Sequence, residues 1–185
     1  TNLDLSQNTA LTELRCERTN LNSLDLSNNT ALETLICYQN QLTSLDVSGC
    51  TALETLHCAD NQLTNLDLSN ITALTFLDCY YNQITSLDLT NNTALTQLWC
   101  GRKQLTSLDL TNNTALTHFA CVNAQLTCLN IKNSNNQNIT VFNATNNPNL
   151  NCIEVDDPAW STANWTDIGA GTTFSTNCNY PSGCF

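Results

Sequence analysis

Leu32–Ala52 reads LETLICYQNQLTSLDVSGCTA, and this stretch is one turn of a coil that the chain repeats. Four gap-free copies surround it, at Leu11–Ala31, Leu53–Ala73, Leu74–Ala94 and Leu95–Ala115. A shorter period is nested inside: one half-turn opens at Leu11, the next at Leu21, and both read Leu-x-x-Leu-x-apolar-x-x-Asn-like. In register, Leu11, Leu14, Cys16, Leu21, Leu24, Leu26 and Ala31 form an inward set, each returning one period later as an apolar residue. The alternation in Leu-x-Cys and Leu-Asp-Leu has period two, the mark of a short strand with one buried face. Between these runs lie Asn-rich connections (SNNTA, YYNQ, TNNTA). Asn accepts left-handed backbone and bonds locally to main chain, which suits tight corners. The pattern predicts a mainly β solenoid of 21-residue coils with two short parallel strands per coil, one from each half-turn. One coil buries too little apolar surface to offset the entropy of ordering itself, so the copies must stack.

Formal net charge over the 185 residues is -11, with five basic residues: Arg15, Arg18, Arg102, Lys103 and Lys132. No basic patch can be built from these, which argues against nucleic acid and anionic membrane as partners. No apolar run is long enough for membrane insertion. The opening TNLDLSQN is already half a repeat, so an amino-terminal cap is expected upstream, in a longer protein of which this is a processed or excised piece.

Eleven cysteines in a chain of this size ordinarily suggest a disulfide framework. Six of them, Cys16, Cys37, Cys58, Cys79, Cys100 and Cys121, instead recur once per period in the last apolar slot of Leu-x-Cys. That slot faces inward, giving a column of small buried hydrophobes. Parallel strands hold such side chains about 4.8 Å apart, whereas a disulfide needs Cβ atoms nearer about 3.8 Å. Free thiols are expected there. No paired Cys-x-x-Cys or His cluster offers a zinc site. Cys50 takes the slot that Asn29, Asn92 and Asn113 fill in sister copies, and reads as structural. Cys152 and Cys178 lie outside the column and bracket the final segment, so they are paired with each other, which points to an oxidising compartment. Cys128 and Cys184 stay unassigned.

The register slips after Leu116: KNSNNQNITVFNA brings Ile139 and Phe142 two residues late, a small loop insertion. Leu150, Ile153 and Val155 supply a last half-turn. DDPAWSTANW then reads as a helix start, with Asp157 as N-cap and Pro158 in the first helical position. Trp160, Trp165, Ile168 and Phe174 are expected to cover the open end of the core. The division is thus a solenoid over 1–155, lacking its amino-terminal cap, and a capping segment over 156–185.

The Leu-x-x-Leu-x-Leu-x-x-Asn pattern resembles the leucine-rich repeat over residues 3–155, in a short nested form, departing from it where Cys replaces Leu in every second half-turn. The whole string, ending in NPNLNCIEVDDPAWSTANW, is similar to secreted and cell-surface repeat proteins of Bacteroidetes-type bacteria. That resemblance implies export by type IX secretion, an extracellular or outer-membrane-associated location, and binding along a strand face.

Comparison among copies shows two unlike faces. One is nearly uniform: Ser23-Asp25-Ser27, Ser44-Asp46-Ser48, Asn65-Asp67-Ser69, Ser86-Asp88-Thr90 and Ser107-Asp109-Thr111. The other changes in every row: Glu13-Arg15-Glu17, Thr34-Ile36-Tyr38, Thr55-His57-Ala59, Phe76-Asp78-Tyr80, Gln97-Trp99-Gly101 and His118-Ala120-Val122. The next position adds Arg18, Gln39, Asp60, Tyr81, Arg102 and Asn123. Neutral drift would scatter differences over all exposed columns, so their concentration marks a surface tuned to a partner. Tyr38, Phe76, Tyr80, Tyr81 and Trp99 have the chemistry of contact anchors, and His57, Asp78, Gln97 and Arg102 supply polar contacts. The leading expectation is a recognition module for a protein partner, in adhesion or assembly. A glycan stacked on Trp99, Tyr80 and Tyr81 is the alternative, and a rigid spacer within a larger surface assembly the third.

The aspartates of the uniform face should stand about 4.8 Å apart along the stack. Such a column raises its pKa values, borrows hydroxyl donors from the flanking Ser and Thr, or recruits cations. Calcium at Asp25, Asp46, Asp67, Asp88 and Asp109 is the hard-oxygen candidate, but a flat ladder gives few ligands per ion, and the hydroxyl-bridged arrangement is preferred. No cofactor is indicated. His57 and Asp78 are neighbours across one coil step, yet no nucleophile, oxyanion donor or water-excluding pocket accompanies them, so an enzyme is not expected.

Overall fold

The computed structural model describes residues 3–102 and 104–185. Its strands are β1 (Glu13–Arg15), β2 (Thr34–Ile36), β3 (Thr55–His57), β4 (Phe76–Asp78), β5 (Gln97–Trp99), β6 (Ser107–Asp109), β7 (His118–Ala120), β8 (Cys128–Asn130), β9 (Val141–Asn143), β10 (Cys152–Glu154) and β11 (Thr173–Ser175), with one helix, α1 (Pro158–Asn164). Strands β1-β2-β3-β4-β5-β7-β9 form a 7-stranded parallel sheet. Each step advances the register by one repeat, Glu13 facing Thr34 and Thr34 facing Thr55. At the last step His118 faces Val141, two residues further on, and a 3-10 turn at Asn136–Asn138 takes up the slack. This is the insertion that the late Ile139 and Phe142 indicated.

Alternation places one residue of each of these strands in the core: Leu14, Leu35, Leu56, Leu77, Leu98, Phe119 and Phe142. Against them pack the leucines of the other half-turn and the column Cys16 to Cys121, all buried free thiols, as is Cys50. Burial lifts the Cys16 thiol to about 11 and pushes Cys37, Cys58 and Cys79 up further, which keeps these four protonated and apolar. In the slot shared with Cys50, Asn92 donates to the carbonyls of Leu68 and Ile71. A second set of carboxamides ties coils together at the corner. Asn61 Nδ2 donates to the carbonyls of Cys37 and Cys58 (both 3.1 Å), and its Oδ1 accepts from Leu42 N at 3.0 Å. Asn40 and Asn82 repeat the arrangement. Lys103 and Ala124 stand at the next two such places in the sequence, and Asn147 resumes it with bonds to Cys121 and Ala144.

The expectation of two strands in every coil needs correction. On the uniform side strands form only from Ser107 onward, in the order β11-β10-β8-β6. Earlier, no backbone hydrogen bond joins 23–27 to 44–48, or 44–48 to 65–69, among the described residues. Pairing would press one outward Asp against the next, and like charges directly opposite are destabilising. Where strands do pair, Asp109 meets Asn130, Asn130 meets Glu154 and Glu154 meets Ser175, so no two carboxylates face each other.

In unpaired and paired coils alike, each Asp of this row turns to its own chain. Asp25 Oδ1 accepts from Ser27 N at 3.0 Å, and Asp46, Asp67, Asp88 and Asp109 do likewise with the residue two further on. The backbone N–H of Ser6, Ser27 and Ser69, then the hydroxyls, hold Asp4, Asp25 and Asp67 below the usual carboxylate range. At Asp46 and Asp88 the hydroxyls of Ser48 and Thr90 lead. Donors from the Ser and Thr rows thus outweigh the mutual repulsion. A carboxylate held low contributes stability that is complete above its unfolded pKa and is lost as pH falls through the folded value. The urea midpoint should therefore be level down to about pH 5 and decline below about pH 4. A midpoint unchanged at pH 2 would contradict this.

At the C-terminal end a short helix and three aromatic side chains lie against the last coil. Asp157 caps α1, accepting from Ala159 N and Trp160 N, with Pro158 in the first turn. Trp165 is 4% exposed, lies flat on Phe142 at 4.1 Å, and donates its indole N–H to Ile139 O. Trp160 and Phe174 abut its edges. The tail after β11 returns over the second sheet, tied by Cys152–Cys178 and also by Cys128–Cys184. Between the two bonds, the Tyr180 hydroxyl accepts from Leu129 N and Glu154 N and donates to Leu129 O, bridging β8 and β10. Burial raises this phenol to about 12.

Candidate functional site

The 7-stranded sheet turns two rows outward. One runs Glu13, Thr34, Thr55, Phe76, Gln97, His118, Val141; the other runs Arg15, Ile36, His57, Asp78, Trp99, Ala120, Asn143. Residues 57, 78 and 99, distant in sequence, are thus adjacent on one side and half-buried rather than covered. The rows arise because every coil places its Leu-x-Cys strand at the same height, so only the outward residues are free to differ.

Their side chains touch in sequence. The Tyr38 ring stacks on His57 at 4.5 Å; Phe76 follows at 6.2 Å from His57, and Trp99 at 5.0 Å from Phe76. His57 Nε2 lies 2.9 Å from Asp78 Oδ2, while Asp78 Oδ1 accepts from Tyr80 N at 3.0 Å. Gln97 stands beside Phe76 in its row. A second cluster adjoins this one at the corner: Tyr80 meets Tyr81 edge-on at 4.7 Å, and the Arg102 guanidinium lies 4.1 Å over the Tyr81 ring. All nine residues singled out from sequence therefore fall on one side of the coil, in two connected clusters. Tyr81 is the most open aromatic of the two clusters, 41% exposed.

Two features escaped sequence reading. A β-carbon on Gly101 would come within 2.5 Å of Val122 O and 2.8 Å of Tyr80 Cε2, so this glycine lets the Tyr80 ring cross the corner. Gly101→Ala should displace that ring and lower stability by about 1–3 kcal/mol, read as a drop in melting temperature; an unchanged melt would refute the close approach. Its absence of a side chain was visible in the variable row, but not what filled the space. The other feature is the corner itself. Arg18, Gln39, Asp60, Tyr81, Arg102, Asn123 and Asn146 all have φ between 53° and 59°. A β-carbon makes left-handed backbone unfavourable by roughly 1–2 kcal/mol, less for Asn and Asp, yet this column varies as freely as the strand rows.

Residues 30–70 and 72–112 match the family model described as leucine rich repeats, in two copies. Those segments are leucine-rich repeats. The flanking strands β1, β7 and β9 extend the leucine-rich-repeat sheet beyond the matched residues. Among solved structures, the chain is similar to the functional domain of InlJ from Listeria monocytogenes, described as including a cysteine ladder. The two share 34% identity at a TM-score of 0.72, over 84% of this chain and 38% of that one. A leucine-rich-repeat protein of Leptospira interrogans (21% identity, TM-score 0.64, 82% of this chain and 44% of that one) shares the fold. So does the internalin InlF of Listeria monocytogenes (21%, 0.62, 88% and 48%). The chain thus spans less than half the length of each. No curated protein matches it.

Proposed function

We propose that the chain is a secreted or cell-surface recognition module whose first sheet binds a protein partner, in adhesion or assembly. The observation that carries this is the continuous ring row Tyr38–His57–Phe76–Trp99 on a face where successive coils disagree, opposite a face where they repeat. Half-exposed rings held by one another lose little freedom on docking, which suits them to be anchors. Two disulfides fit an oxidising, extracellular setting. A Bacteroidetes-type origin and type IX export belong to this proposal on the strength of the repeat string alone. The surface is for binding rather than catalysis: the His57–Asp78 pair has the rings of Tyr38 and Phe76 against it, not a nucleophile.

The test is a screen of the purified chain against envelope and host-surface proteins and a glycan array, beside a Tyr80→Ala/Trp99→Ala variant. Loss of a central aromatic anchor weakens binding by about 2 kcal/mol or more, so the variant should bind the protein hit at least 30-fold more weakly while remaining folded by circular dichroism. Oligosaccharide should not compete. Competition by sugar, or a variant that binds as well as the parent, would overturn the proposal.

A further inference from the structure

Only three of the seven residues in the left-handed corner column, Asp60, Asn123 and Asn146, are of the types that backbone geometry favours. Asn123 and Asn146 show that Asn fits there, but Arg18, Gln39, Tyr81 and Arg102 hold the same φ with larger side chains that gain nothing from it locally. Their side chains explain the choice. Arg18 sits over Tyr38 at 5.6 Å and donates Nε–H to Gln39 Oε1; Arg102 sits over Tyr81 at 4.1 Å. Neither guanidinium has a carboxylate within ion-pair distance among the described residues, although the chain carries 16 acidic residues. Arg15, by contrast, is paired with Glu13, and Lys132 bonds Thr176 O on the opposite side. The two arginines left open to an incoming anion thus share one ridge, each resting on a tyrosine of the proposed binding face. They are four coils apart, which at about 4.8 Å per coil is roughly 19 Å, the span of a protein interface and too wide for one small anion.

We infer that this corner ridge sets partner specificity: the partner is a folded protein presenting carboxylates to Arg18 and Arg102, with Tyr81 as the central contact, and the chain retains unfavourable backbone there to display them. This rests on the binding-face proposal above and adds which residues discriminate and what charge they meet. A guanidinium resting on a ring keeps its terminal N–H groups available, and its planar fork suits bidentate carboxylate contacts.

The test uses the full chain as bait for a yeast-displayed library of small three-helix domains with one randomised face. Selected binders should be rich in Asp and Glu and lose at least ten-fold in affinity on Arg18→Gln, Arg102→Gln or Tyr81→Asn. The double variant Gln39→Asn/Tyr81→Asn should melt no lower than the parent, and up to about 3 °C higher. A melt lowered by more than about 3 °C would make the column structural and overturn the inference. Binders that need Phe76 and Trp99 but ignore the ridge variants would overturn the ridge alone and leave the binding face standing. Binders confined to the Asp face would overturn both.

Discussion

Replacing Cys128 and Cys152 together by Ser should lower stability by roughly 4–6 kcal/mol and the melting temperature by about 10–20 °C. The two bonds close loops of 56 and 26 residues, the smaller within the larger, so their effects on the unfolded chain overlap and do not add. Ser is the residue at the corresponding place in earlier coils, at Ser44, Ser86 and Ser107, so the substitution introduces no new strain into β8 or β10. With the tail untied, Tyr180 leaves its place between the strands. Differential scanning calorimetry with and without reductant reads the effect. A loss below about 1 kcal/mol would mean that the tail is held by Tyr180 and packing alone.

Trp165→Ala should be almost as damaging, at about 3–5 kcal/mol. It removes the flat contact with Phe142, the edge contacts with Trp160 and Phe174, and the indole bond to Ile139 O. Phe142, at the open end of the 7-stranded sheet, would then face solvent, and self-association should follow at micromolar concentration. Urea unfolding and size-exclusion chromatography measure both consequences. A monomer of near-parental stability would show that α1 closes the end without this side chain.

The coil was legible because each copy solves the same packing problem with the same residues. Leu35, Leu56 and Leu77 and the Cys column had to recur, and a repeat exposes such necessity through comparison within one chain. The variable rows were legible for the complementary reason. What the sequence hid depends on contacts between columns. Cys128–Cys184 carried one usable sign, a Cys where outward Ser is the rule, but its partner could not be chosen without the path of the tail. The strands missing from the uniform side, where Asp stands next to Asp, are not something that alternation alone registers. The left-handed φ of Tyr81 and Arg102 was masked because an Asn-rich corner is expected to use Asn for it.

The corner carboxamides bear on how the rod yields to force. Asn40, Asn61 and Asn82 stitch the front coils together, and disulfides with Asn147 fasten the rear, while the sequence puts Lys103 and Ala124 where the middle turns would carry such a stitch. A molecule anchored at one end and pulled at the other would there lean on the other corner and the second sheet, on Asn113, Asn133 and the β6–β8 ladder, just beyond the Tyr81–Arg102 cluster. Tension on the anchor and engagement of the ridge would then meet at the same two turns.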